Sequence, residues 1–341
     1  MRVAVLFGGI STERNVSISG GRAVTEALRS IGYEVVPVDP AYGKDGATKA
    51  EAQINNINHF PTPEELSKFS PKALLECINS DIFDDIDCAF IVLHGKYGED
   101  GIIQALLELR GIPYTGSGVK ANAISIDKAI TKNLMLVAGV PVPPGTIVAP
   151  EIANHFEVIK EIRNEFGNEL VIKPNDQGST IGLTIVRDGN LDDISRGIAE
   201  AGKYCRDILI EQYVDGREIT VGIVGDEALP VIEIVPESGF YDYEHKYTKG
   251  KTQYICPAEI NDDIAEFAKG LALTAHNIIG CSGFSRTDFR LNSDGQPIFL
   301  EINTIPGFTA TSLVPKAAKQ IGIEFPELCD RIIKLALENN K

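Results

Sequence analysis

Six cysteines are present, Cys77, Cys88, Cys205, Cys256, Cys281 and Cys329, and none falls in a CxxC pair or at a Cys/His ligand spacing. That scatter argues against a structural zinc site and against a disulfide framework, and it fits a reducing cytoplasm. Basic residues are also short: 32 Lys and Arg stand against 48 Asp and Glu, a formal net charge of -16. A general nucleic-acid or anionic-membrane binder is therefore not expected, because repulsion would act over most of the surface. Any anionic ligand needs a local cluster of bases. No apolar run approaches membrane-spanning length, and the opening strand at residues 3–7 is too short for a signal-peptide core. The expectation is a soluble, unprocessed chain.

What is present is ordinary globular composition, 43% hydrophobic and 23% charged over 341 residues, enough for two or three packed domains. An apolar strand at 3–7 leads through Gly8 and Gly9 to a helical run with Ala23, Val24, Ala27, Leu28 and Ile31 on one face, then to a strand at 34–38. That β-α-β order implies a parallel sheet. Residues 41–87 carry no strong period except around 71–78 and read as an insertion before the buried strand at 89–93. A helix is expected at 101–110, a hinge at 116–118, and one further helix at 121–138. Beyond it the pattern becomes α+β. Strands at 170–173 and 183–186 form a hairpin around a loop at 175–182, further strands fall at 208–212, 219–224, 229–235 and 297–302, and helices at 262–278 and 326–337.

Two segments carry candidate chemistry. RTD at 286–288 and FLEIN at 299–303 would present Asp288, Glu301 and Asn303 from alternate strand positions on one sheet face. Two carboxylates and an amide oxygen make a hard, all-oxygen site of the kind magnesium prefers, completed by nucleotide phosphates. The same residues would also serve as solvent-facing strand positions. The loop KPNDQGSTIG at 173–182 has little side-chain bulk at Gly178, Ser179, Thr180 and Gly182, so its backbone N–H groups can approach an oxyanion. It is not a Walker loop, and an unliganded hairpin turn has the same composition. Lys173 and Lys128 supply cations that a polyphosphate needs, although each alone reads as a surface lysine.

Eight blocks in order give these segments a common meaning. They are LFGGISTER at 6–14 with Val16 and Ser17, LHGKYGEDG at 93–101, IPYTGSG at 112–118, Asp127-Lys128, Lys173-Pro174 with Gly178-Ser179, FYDYEHKY at 240–247, RTD at 286–288, and EINTIPG at 301–307 with SLVP at 312–315. Together they resemble the ATP-grasp superfamily and, within it, the D-alanine:D-alanine ligases, along nearly the whole chain.

The resemblance implies an ATP-grasp fold of mixed α/β and α+β class. An N-terminal parallel-sheet, Rossmann-like domain at 1–117 would precede a central ATP-grasp domain at 118–211 and a C-terminal one at 212–341 carrying the metal and catalytic site. It implies ATP and magnesium, with manganese as a substitute, D-alanine as substrate, a cytoplasmic homodimer, and a role in peptidoglycan precursor synthesis. Lys128, Lys173 and Thr180 would meet the nucleotide phosphates, Glu211 the adenine amino group and Glu218 the ribose, with Gln212, Tyr213 and Val214 lining the adenine slot. Asp288, Glu301 and Asn303 would hold magnesium. Glu13 would bind the amino group of the first substrate, with His94 near it, and would form a hydrogen-bond triad with Ser179 and Tyr247. Arg286 and the backbone at Gly307 would polarise the carbonyl under attack. Lys246 and Ser312 would hold phosphate and the second substrate's carboxylate.

The chemistry so implied is activation of one carboxylate as an acyl-phosphate and attack on it by a second amine, with D-lactate or another D-amino acid as the alternative second substrate. The Lys246-Tyr247 pair favours the dipeptide. Asn15, Gln177 and Thr311 depart from the pattern, where glutamate, glutamate and histidine are usual. These departures bear on substrate recognition and loop contacts, not on the reaction class. No residue stands out as the base for the attacking amine. An opening strand followed by Gly8-Gly9 also occurs in dinucleotide-dependent dehydrogenases, but no GxGxxG fingerprint follows it here.

Overall fold

The computed structural model describes residues 1–55, 63–236 and 252–339. Its first strand, β1 (Arg2–Leu6), is buried on both faces, as a strand must be when helices cover both sides of a parallel sheet. It pairs in parallel with β2 (Glu34–Val38) and β3 (Cys88–Ile91), in the order β2-β1-β3. The expected β-α-β unit is completed by the helix Arg14–Ser30, which buries Val24, Ala27 and Leu28. On the same face lies the closing helix Phe325–Asn339, whose Leu328, Ile332 and Ile333 share one core with Val3, Phe7 and Phe90. Tyr33 Oη donates to Asp330 Oδ1 at 2.6 Å and fastens that helix to the start of the chain.

The insertion expected at 41–87 is more ordered than its weak periodicity implied. Gly46–Asn55 and Pro71–Ile78 are helices, and Leu74, Cys77 and Ile78 pack with Ala4, Leu6 and Ile91 on the second face of the parallel sheet. The expected single helix at 121–138 is two: Val119–Ile126 and Lys128–Val137. Asp127 breaks it by adopting an extended backbone (φ -84°, ψ 99°) and using its carboxylate to accept the Ile130 N–H, which caps the second helix. The break sets Lys128 at a helix N-terminus, where its own N–H and that of Ala129 donate to the Asn175 carbonyl and side chain at 3.2 and 2.9 Å.

The next sheet is antiparallel, with β4 (Gly145–Val148), β5 (Leu170–Pro174), β6 (Thr184–Val186) and β7 (Ile208–Gln212) in the order β4-β7-β5-β6. The helices Phe156–Phe166 and Leu191–Ala201 bury Ile159, Ile162, Ile194 and Ile198 against it. The β5–β6 hairpin is the one expected from sequence. In the largest sheet, β8 (Arg217–Val224), β9 (Glu227–Ala228), β10 (Ile232–Pro236), β11 (Thr252–Ile255), β12 (Phe284–Leu291) and β13 (Pro297–Asn303) run in the order β11-β10-β8-β12-β13, with β9 alongside β8. The helix Asp262–Ile279 packs Ala268, Leu271, Ala272 and Ala275 onto it. The strand expected at 229–235 begins only at Ile232, because Pro230 has no N–H to give to the ladder.

Candidate active site

Glu13 is the residue that precedes the first helix, and it is buried. A charged network holds the neighbouring backbone. The buried Arg14 guanidinium reaches the Gly9 carbonyl and pairs with the fully buried Asp39, which also accepts from Gly9 N, Ala41 N and Gln53 Nε2, each at 3.1 Å. Tyr42 and Phe69 from the insertion lie over the same guanidinium, with ring centroids 5.6 and 4.9 Å away. Gly8 is required here: its φ is +78°, and a Cβ would lie 2.5 Å from the Asp39 carboxylate. The insertion therefore serves to hold the loop that carries Glu13.

His94 follows β3 and is 6% exposed, and its Nε2 has no hydrogen-bond partner among the described residues. Burial lowers its pKa; nearby Glu13 opposes this and Arg286 adds to it, so the ring is neutral near pH 7. Glu99, on the same wall, accepts the Gly95 N–H at 2.6 Å. Burial, reinforced by Glu13, raises its carboxyl to about 8.

On β12 and β13 the register sets Asp288 opposite Glu301 and Arg286 opposite Asn303, so alternate positions of both strands turn these four side chains to one face. Arg286 grips Asp288 with two bonds of 2.8 and 2.7 Å, and Thr220 Oγ1 and Asn303 Nδ2 donate to the same carboxylate at 2.6 and 3.1 Å. Among the described residues no group of three or more His, Cys, Asp or Glu could hold a metal ion. The candidate set has two carboxylates and one amide, so a divalent ion there would need further oxygens from its substrate.

The loop at 175–182 closes over this face. Ser179 and Thr180 have φ values of +52° and +61°, a conformation few non-glycine residues adopt. It turns the Ser179 hydroxyl onto Glu13 Oε1. Lys128 Nζ donates to the Gln177 carbonyl at 2.7 Å and lies 3.4 Å from Glu301. Behind the loop, Lys173 Nζ donates to Glu211 Oε1 at 2.6 Å, and Lys132 pairs with the other oxygen of that carboxylate. Burial raises the Glu211 pKa, but Lys132 and Lys173 outweigh it and hold the carboxyl below its ordinary range. Arg290 ties the Val214 carbonyl and Tyr213 hydroxyl together at 3.2 and 2.9 Å and lies 3.6 Å from Glu218.

These residues line two adjoining cavities. The larger, about 770 Å³, is walled by Glu13, His94, Glu99, Arg286, Asn303, Gly307 and Ser312. The second is walled by Lys173, Thr180, Glu211, Gln212, Tyr213, Val214, Glu218 and Asp288. Lys128, Gly178, Ser179 and Glu301 belong to both. Every described residue to which the resemblance assigns a role thus lines one cavity or the other. Lys246 and Tyr247 lie outside the described residues. Sequence reasoning passed over Lys132, Glu99 and Arg290; Lys132 stands one helical turn after Lys128, a spacing that could have drawn attention to it.

Comparison with known proteins finds one family. The family model "D-ala D-ala ligase N-terminus" matches residues 2–117, and "D-ala D-ala ligase C-terminus" matches residues 134–334. A D-alanine–D-alanine ligase of Desulforamulus reducens is 42% identical, with 99% of each chain covered. One from Geobacter sulfurreducens is 39% identical over 97% of this chain and 93% of its own. Among solved structures, the Bacillus anthracis D-alanine–D-alanine ligase superposes with a TM-score of 0.78 at 31% identity, covering 100% of this chain and 98% of that one. The VanG D-Ala:D-Ser ligase of Enterococcus faecalis gives 0.78 at 30% identity, covering 98% and 99%.

Proposed function

The chain belongs to the D-alanine–D-alanine ligase family, and from that premise we propose how its residues divide the work of joining two D-alanine molecules at the expense of ATP. The single observation that carries the proposal is the meeting of two cavities at Lys128, Gly178, Ser179 and Glu301. A nucleotide in the smaller cavity would point its terminal phosphate through that junction at a carboxylate in the larger. In-line approach of the two is what phosphoryl transfer demands of an enzyme, since most of its catalysis is positioning and charge neutralisation.

In this reading Glu13 and the neutral His94 receive the ammonium and neighbouring atoms of the first D-alanine. Its carboxylate attacks the terminal phosphoryl group, the bond from that phosphorus to the bridging oxygen breaks and ADP leaves, and Lys128 and Lys173 neutralise phosphate oxygens. The donor set Asp288, Glu301 and Asn303 fits a hard divalent cation: its atoms are oxygens, and a half-turn of the Asn303 amide presents oxygen in place of nitrogen. Magnesium, when bound, would screen the phosphate charge. The second D-alanine enters toward Ser312, and its uncharged amine attacks the acyl carbon; collapse of the tetrahedral intermediate breaks the C–O bond to phosphate, which leaves as the nitrogen loses a proton. Arg286 and a backbone N–H near Gly307 hold the tetrahedral oxyanion that forms; loss of one such donor typically costs about 100- to 1,000-fold in rate. The loop at 175–182 excludes water, which would otherwise hydrolyse the acyl-phosphate. Lys246 and Tyr247 keep the roles the sequence resemblance assigns them, at the second substrate and in the triad. The division into domains at 1–117, 118–211 and 212–341, a homodimeric assembly and a cytoplasmic location belong to the same proposal.

A D-Ala:D-Ser ligase and a D-alanine–D-alanine ligase superpose on this chain equally well, so shape alone does not choose the second substrate. Phosphate release from ATP with D-alanine alone, and with D-alanine plus D-serine or D-lactate, tests the reading. Dipeptide formation from D-alanine alone is expected. Release that depends on D-serine or D-lactate would replace D-alanine at the second position, and no release with any of them would overturn the function.

A further inference from the structure

Glu211 is 2% exposed and has two ammonium partners, one on each carboxylate oxygen. The two lysines are placed differently. Lys173 leaves β5 on the face it shares with Glu211, whose strand partner Val171 lies two residues earlier, and it lines the nucleotide cavity. Lys132 comes from the helix Lys128–Val137; it is 5% exposed and does not line that cavity. Burial lowers the Lys132 pKa to about 8, against the pull of Glu211 and with Lys173 adding to the fall, so the lysine is held there at a cost.

We propose that Lys132 is a positioning residue that fixes the Glu211 carboxylate as acceptor for the adenine amino group and leaves Lys173 able to turn to the phosphates. This rests on the reading that Glu211 meets that amino group. When Lys173 turns toward a polyphosphate, Glu211 would be a buried carboxylate with no cation unless a second one stays behind, and a lone buried charge is strongly disfavoured. Without Lys132 the carboxylate would either keep Lys173 from the phosphates or take up a proton. The first withholds a cation from the phosphates, and the second removes the charge that strengthens its bond to an N–H donor. A base lacking that donor leaves a buried acceptor unpaired, which is how such sites discriminate.

The test compares ATP with purine riboside triphosphate, which lacks only the amino group, in KM and kcat measurements on the full chain. Wild type is expected to favour ATP by at least about tenfold in kcat/KM, the scale of one hydrogen bond to a charged group. Lys132→Met should bring the two nucleotides within about threefold while the KM for D-alanine stays unchanged. Lys132→Arg, which keeps a cation, should keep the preference. Lys132→Gln, polar and neutral, supplies the same reading if the methionine variant does not fold. A preference lost in Glu211→Ala but intact in Lys132→Met and Lys132→Gln would overturn the inference. A preference that survives in Glu211→Ala would overturn the adenine reading itself. A purely structural lysine would lower both rates in equal proportion and leave their ratio where it was.

Discussion

The Ser179 hydroxyl donates to Glu13 Oε1, joining the loop over the smaller cavity to a residue 166 positions earlier that walls the larger. The position of the loop and the orientation of Glu13 are thus tied together by one bond. A hydrogen bond to an ionised partner contributes about 1.5–3 kcal/mol. Ser179→Ala is expected to raise the KM for the first D-alanine about tenfold or more, with a smaller effect on the KM for ATP. Initial rates over a matrix of both substrates check this; equal changes in the two KM values would show that the bond does not couple the sites.

The proposed metal set makes a stronger demand. Asp288→Asn and Glu301→Gln each remove a charge at nearly constant volume, and each is expected to lower turnover by about two orders of magnitude or more without unfolding the chain. Circular dichroism and a phosphate-release assay at saturating magnesium suffice. Turnover near the wild-type rate in either variant would refute the assignment.

Glu99 supplies a pH signature. Its carboxyl, ordinarily near 4.5, is raised to about 8 in the fold, by burial first and by Glu13 second. Between those values the folded chain keeps a proton that the unfolded chain releases. Stability from this group is thus complete below pH 4.5 and is lost as pH rises to about 8. Glu99→Gln, permanently neutral, should therefore gain in Tm over wild type as pH goes from 5 to 8, measured without substrates. A difference in Tm that is flat across that range would contradict the shift.

The network under Glu13 can be tested as a support. Asp39→Ala would strand the buried Arg14 guanidinium and is expected to cost about 3–5 kcal/mol, whereas Arg14→Met combined with Asp39→Leu should cost less than Asp39→Ala alone. Chemical denaturation of the variants gives the comparison. A double variant less stable than the single would mean that the pair contributes more than the hydrophobic replacement.

The sequence by itself determined the parts that depend on local spacing. Period-two alternation in 286–288 and 299–303 was enough to turn Asp288, Glu301 and Asn303 to one face, while the β12–β13 register that sets Asp288 opposite Glu301 belongs to the folded sheet. Apolar periodicity likewise marked the β-α-β opening and the β5–β6 hairpin. Only the tertiary structure decided the rest. The helical pattern runs unbroken through Asp127, because a cap that interrupts a helix leaves the apolar period on either side intact, yet that interruption aims Lys128 at the loop. The insertion's purpose was hidden because Asp39 and Gln53 are buried polar residues, which sequence patterns read as surface. Lys132 and Glu211 meet across 79 positions. Nothing in either neighbourhood encodes the meeting, since which lysine is buried beside which carboxylate is fixed by how a helix seats on a sheet and not by the composition of either.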